Sequence, residues 1–387
     1  MKKIVIFGST GSIGTSLLDI IKKDKKNFII ELITANKNYK KLIKQAKFFN
    51  VKNLIILDQN SFLKTQKILK HQNINIYNNF NSLEKIFKNK KIDYVMSAIT
   101  GFQGLKPTLE IIRFTNVIAI ANKESIICGW NLIKKSLDEY NTKFIPVDSE
   151  HFSIWSLINN DSSRNFEKIY LTASGGPFRK YPLNKFKNIT PKKALKHPNW
   201  KMGNKISIDS ATMMNKVFEI IEAKKIFNFK YSQLEILIHP HSYLHAIVKF
   251  SNGLIKLLMH DTNMTIPIFN SLYHEENCKI KSLPLDMKIL NNLELKRIDK
   301  NRFPVIKLIN KLTNQDSLYE TVIVAANDNL VNKFLKNEIQ FTDISKILLK
   351  ITSLNEFKKF KMIKPKNVEE IEKLADYVSL KINSLSV

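Results

Sequence analysis

Cysteine is nearly absent from this chain of 387 residues, which contains only Cys128 and Cys278. Two cysteines cannot build the disulfide framework of a small secreted domain, and they exclude a zinc site made of cysteine ligands. We therefore expect a reducing compartment, the cytoplasm. Long apolar runs are also lacking, and no segment approaches the roughly 20 residues that span a membrane as a helix. The N-terminal run IVIF leads into a turn, not a cleavage site, so we interpret it as a strand rather than a signal peptide.

Acidic residues are scarce relative to basic ones: 34 Asp and Glu stand against 62 Lys and Arg, a net charge of +28. Such a surplus is common in nucleic-acid-binding proteins. Here, however, the lysines are spread along the whole chain. They also greatly outnumber the arginines, although arginine is the residue that planar recognition of phosphates and bases favours. Nucleic-acid binding therefore stays an alternative only. The basic field favours a small anionic substrate, and we expect neither nucleic acid nor a membrane as a partner.

The chain is long enough for two or three domains with cores of their own. Over the first 147 residues, apolar runs at 4–7, 28–34, 54–57, 94–98 and 117–121 alternate with helix-like segments such as 12–21 and 40–49. This alternation predicts an α/β fold, in which a doubly wound parallel sheet carries helices on both faces.

The remainder of the chain has a different pattern. Strand-like runs at 169–172, 234–238, 246–250 and 254–259 indicate an α+β region, and SNG at 251–253 predicts a hairpin between the last two runs. Helical segments at 319–335, 344–351 and 368–382 follow a weakly patterned connector. We predict a nucleotide-binding domain over 1–149, a catalytic domain over 150–284 with a lid loop at 197–205, a connector over 285–311 and a helical domain over 312–387.

A glycine-containing turn, GSTGSIG at residues 8–14, lies between the first strand and the first helix. Glycines let the backbone approach a pyrophosphate, and the helix N-terminus supplies N–H donors. The spacing G-x-x-G-x-x-G differs from the usual dinucleotide pattern, so a plain tight turn is the alternative. The second strand ends at Asn36, Lys37 and Asn38, without the acid that usually holds the ribose hydroxyl of NAD. Lys37 can pair with a 2′-phosphate, which favours NADP.

The segment PVDSEH at residues 146–151 follows another apolar run. In an extended or turning segment, positions i and i+2 point the same way, so Asp148 and Glu150 can converge on one point. Two oxygen ligands with open positions suit Mg²⁺ or Mn²⁺. A solvated acidic turn is the alternative.

The segment SIDSATMMNKVFE at 207–219 is the densest in polar groups. We expect Asp209 or Ser210 to cap a helix that continues to about residue 226. Asn215 and Glu219 then share a face, with Lys216 three residues from Glu219. Ser210, Asn215 and Lys216 are donors suited to a phosphate near a helix start. A capped surface helix with an ion pair is the alternative.

Three further segments carry candidate site residues. Asn122, Lys123 and Glu124 follow a strand, where Lys123 can meet a substrate hydroxyl or the nicotinamide ribose and Asn122 can cap a helix. Ser174 precedes two glycines and can offer donors to an anion. Residues 196–203 form a loop whose Trp200 either covers a ligand or packs into a core.

Three histidines, His239, His241 and His245, lie close together in the sequence. Their spacing could suggest zinc, but no acid or cysteine stands at ligand spacing. We interpret them as structural.

Taken together, the segments GSTGSIG, ANKES, PVDSEH, SGGPFR, HPNWKMG and SIDSATMMNKVFE, in this order and at these separations, closely resemble the 1-deoxy-D-xylulose 5-phosphate reductoisomerase family. The resemblance covers essentially the whole chain. It implies conversion of 1-deoxy-D-xylulose 5-phosphate to 2-C-methyl-D-erythritol 4-phosphate, by a metal-assisted rearrangement of the carbon skeleton and reduction by NADPH. It also implies a homodimer that uses Mg²⁺ or Mn²⁺.

The resemblance assigns a role to individual residues. The implied metal ligands are Asp148, Glu150 and Glu219, which with Lys123 form the catalytic set. The implied substrate contacts are Lys123, Ser149, Glu150, Ser174, His197, Trp200, Ser210, Asn215, Lys216 and Glu219. The implied cofactor contacts are Thr10, Gly11, Ser12, Ile13, Asn36, Lys37, Asn38, Asn122, Glu124 and Gly203. Family members often have glycine in place of Asn36, and asparagine tolerates left-handed backbone angles better than most residues. An NADP-dependent dehydrogenase without a metal remains the main rival.

Overall fold

The computed structural model describes residues 1–159, 165–200 and 202–384. Over these residues the strands are β1 (Lys2–Phe7), β2 (Phe28–Ala35), β3 (Asn53–Ile56), β4 (Asn75–Tyr77), β5 (Ile92–Ser97), β6 (Thr115–Ile120), β7 (Lys143–Pro146), β8 (Phe166–Ala173), β9 (Leu234–Ile238), β10 (Leu244–Phe250), β11 (Ile255–Met259) and β12 (Lys296–Arg297).

The α-helices of the same residues are α1 (Ser12–Lys23), α2 (Tyr39–Phe49), α3 (Gln59–Leu69), α4 (Ser82–Phe87), α5 (Leu105–Ile112), α6 (Lys123–Glu139), α7 (Ser149–Ile158), α8 (Pro191–Ala194), α9 (Asn204–Thr212), α10 (Met214–Phe227), α11 (Thr265–Leu272), α12 (Met287–Asn291), α13 (Tyr319–Leu335), α14 (Phe341–Ile351), α15 (Asn355–Lys358) and α16 (Val368–Ser384). Short 3₁₀ segments lie at Lys25–Asn27, Phe102–Gly104, Leu183–Asn188, Tyr231–Gln233, Pro304–Lys311 and Lys359–Met362.

The first compact unit comprises Met1–Ser125, Leu132–Asp148 and Met264–Ile280. Its seven strands form a sheet in the order β4-β3-β2-β1-β5-β6-β7, and every neighbouring pair is parallel. The predicted doubly wound, Rossmann-like sheet is therefore confirmed. The strand order reverses between β1 and β5, and ligands of such sheets bind outside the carboxyl ends of the strands at that point.

Burial explains why the first strand is continuously apolar. Ile4, Val5, Ile6 and Phe7 are all completely buried, because β1 lies in the middle of a sheet covered on both faces. Helices α1 and α2 each direct an apolar stripe into the same core. The sequence did not predict β4, whose three residues are partly exposed at the sheet edge and carry too little apolar pattern.

The second unit comprises Ile126–Asn131, Ser149–Asn263 and Lys281–Val387. Its mixed sheet has the order β11-β10-β8-β9-β12. Strands β10 and β11 pair antiparallel, which confirms the predicted hairpin. The segment predicted as a weakly patterned connector contains α12 and β12. The Asp286 side chain caps α12, and β12 pairs with β9 over only two residues, so both are too short to give a periodic signal.

The predicted continuous helix from residue 209 or 210 to 226 is wrong. Asp209 and Ser210 lie inside α9, which begins after Gly203, and a separate helix, α10, follows. Met213 causes the break: it adopts a left-handed conformation with φ of 67°, which no α-helix accommodates. The junction is fully packed, since Met213 is only 2% exposed.

The C-terminal part of the second unit is helical, as predicted. Helix α13 packs against α14 and α16, and it also reaches back to α9. There the Asn327 amide donates to the Asp209 carboxylate at 2.7 Å, while Lys205 pairs with Asp328 at 2.9 Å. Within the described ranges, no helix combines the length and the apolar character needed to cross a membrane.

Candidate active site

The glycine turn of the first unit fits a closely approaching ligand. Gly8 has φ of 75°, and a Cβ atom on it would lie 2.6 Å from the carbonyl oxygen of Ala98, at the end of β5. A Cβ on Gly14 would lie 2.5 Å from the Cα of Ser9. Larger residues would therefore push the turn away from the point where the strand order reverses. Gly11 is the N-cap of α1 and has no side chain to cover the first N–H groups of that helix.

The amide groups at the start of α1 belong to Ser12 and Ile13, two of the predicted cofactor contacts. Together with the partial positive charge of the helix end, they form an anion-binding arrangement. The structure thus brings Thr10, Gly11, Ser12 and Ile13 together at one end of the parallel sheet.

Two residues that support this turn were missed from the sequence. Lys41 donates to the carbonyl of Thr10 at 3.0 Å and to the hydroxyl of Thr15 at 2.7 Å. Gln45 donates to the carbonyl of Ser9 at 2.9 Å. Lys41 and Gln45 are four residues apart on α2, so they share a face, and this spacing was the signal that could have revealed them.

The loop after β2 carries three of the predicted cofactor contacts, Asn36, Lys37 and Asn38. The Lys37 side chain is exposed, and its carbonyl accepts a hydrogen bond from the Ser61 hydroxyl at 3.0 Å. Asn38 caps α2 by accepting from the backbone N–H of Lys41 at 3.2 Å. Asn36 does not adopt a positive φ, so this position needs no glycine-like backbone freedom.

The loops after β5 and β6 support each other. Asn122 caps α6, as predicted, by accepting from the N–H of Ser125 at 2.5 Å, and it donates to the carbonyl of Gly101 at 2.9 Å. The Glu124 carboxylate accepts from the N–H of Gly101 at 3.3 Å. Lys123 pairs with the carboxylate of Asp148, which ends this unit.

In the second unit, Glu150 and Glu219 offer carboxylate oxygens within 4.8 Å of one another. Glu150 lies in the first turn of α7 and Glu219 in α10. The ammonium of Lys216 binds both of them, at 2.5 Å from Glu150. Ser149 donates to Glu150 at 2.5 Å, and the Asn215 amide donates to Glu219.

Burial makes this cluster electrostatically demanding. Glu219 is 1% exposed and Lys216 is 6% exposed. Burial alone would lower the pKa of Lys216, but the charges and hydrogen bonds of Glu150 and Glu219 outweigh it and raise that pKa. Lys216 therefore stays charged between the two carboxylates. The pair Glu150 and Glu219 thus forms a site that binds positive charge.

The donor set fits a divalent metal. Two carboxylates exceed the charge of one ammonium, and hard cations such as Mg²⁺ and Mn²⁺ prefer carboxylate oxygens. The Asn215 side-chain oxygen is buried and has no hydrogen-bond partner, so a further oxygen donor adjoins the carboxylates.

His151 fixes the helix that carries Glu219. Its Nε2 donates to the backbone carbonyl of Glu219 at 2.9 Å, and its Nδ1 lies 4.0 Å from the carboxylate of Glu222. All three residues are fully buried. The sequence had placed His151 in the PVDSEH segment without a role.

Ser174 and His197 meet at a second group of donors. The Nδ1 of His197 accepts from the backbone N–H groups of Asn199 at 3.1 Å and Trp200 at 2.9 Å, so its proton is on Nε2. This Nε2 then donates to the Ser174 hydroxyl oxygen at 3.1 Å, which also accepts from the N–H of Gly176 at 3.0 Å. Ser174 keeps its own hydroxyl proton to donate to an anion.

Ser210 approaches the same turn. A Cβ on Gly176 would lie 2.8 Å from the carbonyl oxygen of Ser210, so only glycine lets the two segments come this close. Burial and the positive charge of Lys216 lower the pKa of His197 to about 4. Lys216 is thus close enough to act on the Ser174–His197 pair as well as on the carboxylates.

Among the described residues, the predicted lid loop 197–205 is a loop as far as Gly203, but Asn204 and Lys205 already belong to α9. Lys201 is outside the described residues. Gly203 is the N-cap of α9. The Trp200 ring packs edge-on against His245, with ring centroids 6.2 Å apart. Among the described residues, His239, His241 and His245 belong to no cluster of possible metal ligands.

Comparison with known proteins gives the family. Sequence models of 1-deoxy-D-xylulose 5-phosphate reductoisomerase match residues 4–129, and models of its C-terminal domains match 144–227 and 259–378. The 1-deoxy-D-xylulose 5-phosphate reductoisomerase of Pelagibacter ubique is 70% identical over 100% of both chains. The chain belongs to the 1-deoxy-D-xylulose 5-phosphate reductoisomerase family.

Further members of the family agree with this assignment. The enzyme of Clostridium novyi is 39% identical over 96% of both chains. The structure of the Zymomonas mobilis enzyme in complex with NADPH has a TM-score of 0.88 at 32% identity, covering 99% of this chain and 100% of that chain. A reductoisomerase structure with NADPH, fosmidomycin and magnesium has a TM-score of 0.89 at 28% identity, covering 100% of both.

As a family member, the protein converts 1-deoxy-D-xylulose 5-phosphate to 2-C-methyl-D-erythritol 4-phosphate. It is an NADPH-dependent oxidoreductase that uses a divalent metal. The function, the cofactors and the fold class predicted from the sequence are therefore confirmed.

Proposed function

We propose that Asp148, Glu150 and Glu219 hold the divalent metal for this reaction. The supporting observation is that Glu150 and Glu219, from two different helices, share the buried ammonium of Lys216. Asp148 stands two residues before Glu150, so the chain itself carries a third carboxylate to the start of α7. When bound, the metal supplies Lewis-acid polarisation of the vicinal carbonyl and hydroxyl of the substrate.

The substrate phosphate binds at Ser174, His197 and Ser210, with Asn215 and Lys216 beside it. Ser174 has a hydroxyl proton to donate, and His197 holds the Ser174 oxygen by a hydrogen bond. The turn after Ser174 and the end of α9 that carries Ser210 approach each other closely at Gly176. Binding the unreactive phosphate orients the sugar and so lowers the barrier of the chemical steps.

The other substrate contacts are Lys123, Ser149 and Trp200. Ser149 holds Glu150 in place by donating to it. Lys123 offers an ammonium at the carboxyl end of the parallel sheet, where it forms an ion pair with Asp148. Trp200 covers the substrate from the loop before α9 and excludes water from the reacting carbons.

NADPH binds along the carboxyl ends of β1, β2 and β5 and supplies the hydride. The pyrophosphate lies at the start of α1, contacted by Thr10, Gly11, Ser12 and Ile13. Asn36, Lys37 and Asn38 surround the 2′-phosphate. Asn122, Glu124 and Gly203 lie near the nicotinamide end. The support for this binding mode is the set of glycines in the turn at residues 8–14, which leave room that a Cβ atom would fill.

The experiment for this proposal is NADPH consumption by the purified protein with 1-deoxy-D-xylulose 5-phosphate and Mg²⁺, before and after EDTA. We expect EDTA to stop the reaction and added Mg²⁺ or Mn²⁺ to restore it. NADPH consumption that EDTA leaves unchanged would contradict the metal site and favour a plain dehydrogenase.

We also propose that the protein is a cytoplasmic homodimer with the four-part division 1–149, 150–284, 285–311 and 312–387. The dimer proposal rests on exposed apolar residues near the edge strand β11. Leu254, directly before β11, is 58% exposed, and within the strand Ile255 is 56% and Leu257 is 42% exposed. Exposed apolar edge strands are natural pairing sites.

Light scattering after gel filtration tests the dimer. The wild-type protein is expected at twice the chain mass, and Ile255→Asp with Leu257→Lys is expected to shift it toward the chain mass. A wild-type protein that elutes at the mass of one chain would contradict the proposal.

A further inference from the structure

His260 is a buried histidine with one unused nitrogen. It directly follows β11 and is 9% exposed. Its Nδ1 lies 2.8 Å from the backbone carbonyl of Asp261. A carbonyl only accepts, so Nδ1 carries the proton and Nε2 presents a lone pair. This buried Nε2 has no hydrogen-bond partner, which is rare for buried polar atoms.

Neighbouring side chains hold the His260 ring in one orientation. It stacks on His245 with ring centroids 3.7 Å apart and planes at 17°. His245 in turn donates from Nε2 to the backbone carbonyl of His260 at 3.3 Å and packs against Trp200. His260 and His245 therefore form a stacked pair, against which the loop tryptophan proposed to cover the substrate packs edge-on.

The stack lies beside the carboxylate cluster. Helix α7, which carries Glu150, packs on β10 and β11. Burial lowers the pKa of His260, while the Asp261 carbonyl and the charges of Glu150 and Asp261 partly oppose that effect. The net lowering keeps the imidazole neutral, so its Nε2 is an acceptor facing no protein donor.

We propose that His260 is a substrate-binding residue whose Nε2 accepts a hydrogen bond from a hydroxyl of the sugar phosphate bound beside Glu150. The inference rests on the proposed function, because it needs the substrate at the Glu150–Lys216–Glu219 cluster. An acceptor that is buried without a donor favours ligands that supply one, since the unpaired state is unfavourable. The substrate carries two hydroxyl groups between its carbonyl and its phosphate ester, and either can serve as that donor.

The experiment compares His260→Phe and His260→Gln with a matched control, His239→Phe. Phenylalanine keeps the ring stack but removes the acceptor, whereas the glutamine amide oxygen restores an acceptor. His239 is also buried, its Nδ1 is 3.3 Å from a backbone carbonyl and its Nε2 has no partner, but the groups around it are His241 and Glu294.

We expect His260→Phe to raise the KM for 1-deoxy-D-xylulose 5-phosphate about 10- to 100-fold. The KM for NADPH should stay unchanged, and His260→Gln should recover most of the loss. Stabilisation of the protein by 1-deoxy-D-xylulose 5-phosphate with Mg²⁺, measured as a rise in Tm without NADPH, should shrink in His260→Phe and persist in His239→Phe.

Two results would overturn this inference. One is a His260→Phe protein with wild-type substrate KM and wild-type stabilisation by the substrate. The other is an equal change in His260→Phe and His239→Phe, which would mean a structural role. Either result can occur in a protein whose wild-type activity is metal-dependent, so failure here is distinct from failure of the proposed metal site.

Discussion

At the residue scale, His197 shows how the backbone selects one protonation state. Two backbone N–H groups donate to its Nδ1, so a proton on that nitrogen would break both hydrogen bonds. Burial and the charge of Lys216 act in the same direction and lower the pKa of His197 to about 4. The neutral ring is thus available to hold the Ser174 oxygen at neutral pH.

This lowered pKa predicts a pH-dependent stability. The unfolded chain takes up the His197 proton near the ordinary value of 6.5, whereas the folded protein does so only near 4. Protonation therefore favours the unfolded state, and stability falls as the pH decreases through this window. His197→Gln should flatten the fall in Tm between these pH values. A wild-type Tm profile and a His197→Gln profile with the same slope would contradict the account.

Lys37 is the residue on which NADP preference depends in this account. Removal of its ammonium in Lys37→Ala should raise the KM for NADPH about tenfold or more, because a charge-assisted contact to the 2′-phosphate is lost. Turnover at saturating NADPH should change little. Lys44→Ala removes an exposed lysine of the neighbouring helix α2 and serves as the control. Equal KM values in the two variants would place the 2′-phosphate elsewhere.

Site residues could be predicted from the sequence where the signal is local, that is, where several polar residues stand in one short segment. Glu150, Lys216 and Glu219 stand in short, dense segments, and the spacing predicted that Lys216 and Glu219 share a helix face. Their meeting with Glu150, 66 residues from Lys216, was implied only by the family resemblance. Lys41 and His260 stand alone in unremarkable surroundings. Their roles depend on residues far away in the chain, Thr10 for Lys41 and Glu150 for His260, and no local sequence pattern reveals these neighbours.

At the element scale, α13 stabilises the short helix that presents Ser210. Asn327 of α13 is completely buried and donates to Asp209 of α9 at 2.7 Å. The junction after α9 is strained by the left-handed Met213, so an outside contact is needed to keep its geometry. Through Asp209, α13 therefore supports the helix that presents Ser210, a residue of the proposed phosphate site.

Asn327→Ala should lower stability by about 1–3 kcal/mol, since a buried carboxylate loses a donor. It should also raise the KM for 1-deoxy-D-xylulose 5-phosphate, because Ser210 loses its support. The control is Asn329→Ala, which removes hydrogen bonds from Asn329 to Ala325 and Ser379 elsewhere on α13. Denaturant unfolding and kinetics check both effects. Identical substrate KM values in the two variants would show that α13 supports the fold only.

Long elements could be predicted from periodicity, and short or broken ones could not. Helix α13 was predicted to the residue, and the apolar runs gave the long strands. The prediction of a single helix across Met213 was wrong because no sequence rule assigns a left-handed backbone conformation to methionine. Strands β4 and β12 are set by pairing with neighbours, which a window of two or three residues does not encode.

At the scale of the whole molecule, alternation of strands and helices was enough to predict the parallel sheet of the first unit. It could not show that Met264–Ile280, far along the chain, packs with that unit. There Tyr94 and Ser271 share a hydrogen bond of 2.8 Å inside the core, and α11 packs on α1. This packing depends on contacts between residues 177 positions apart, which only the folded chain reveals.

Direct titration of Mn²⁺ into the protein tests whether Glu219 is a ligand of the catalytic metal. Calorimetry should show one Mn²⁺ bound per chain in the wild type. The control variant Glu235→Gln should bind the same amount, since the Glu235 carboxylate pairs with Lys168 at 3.8 Å. Glu219→Gln should weaken Mn²⁺ binding by about a hundredfold or more, since a charged oxygen ligand is lost while the shape is kept. Wild-type Mn²⁺ affinity in a folded Glu219→Gln protein would contradict the account.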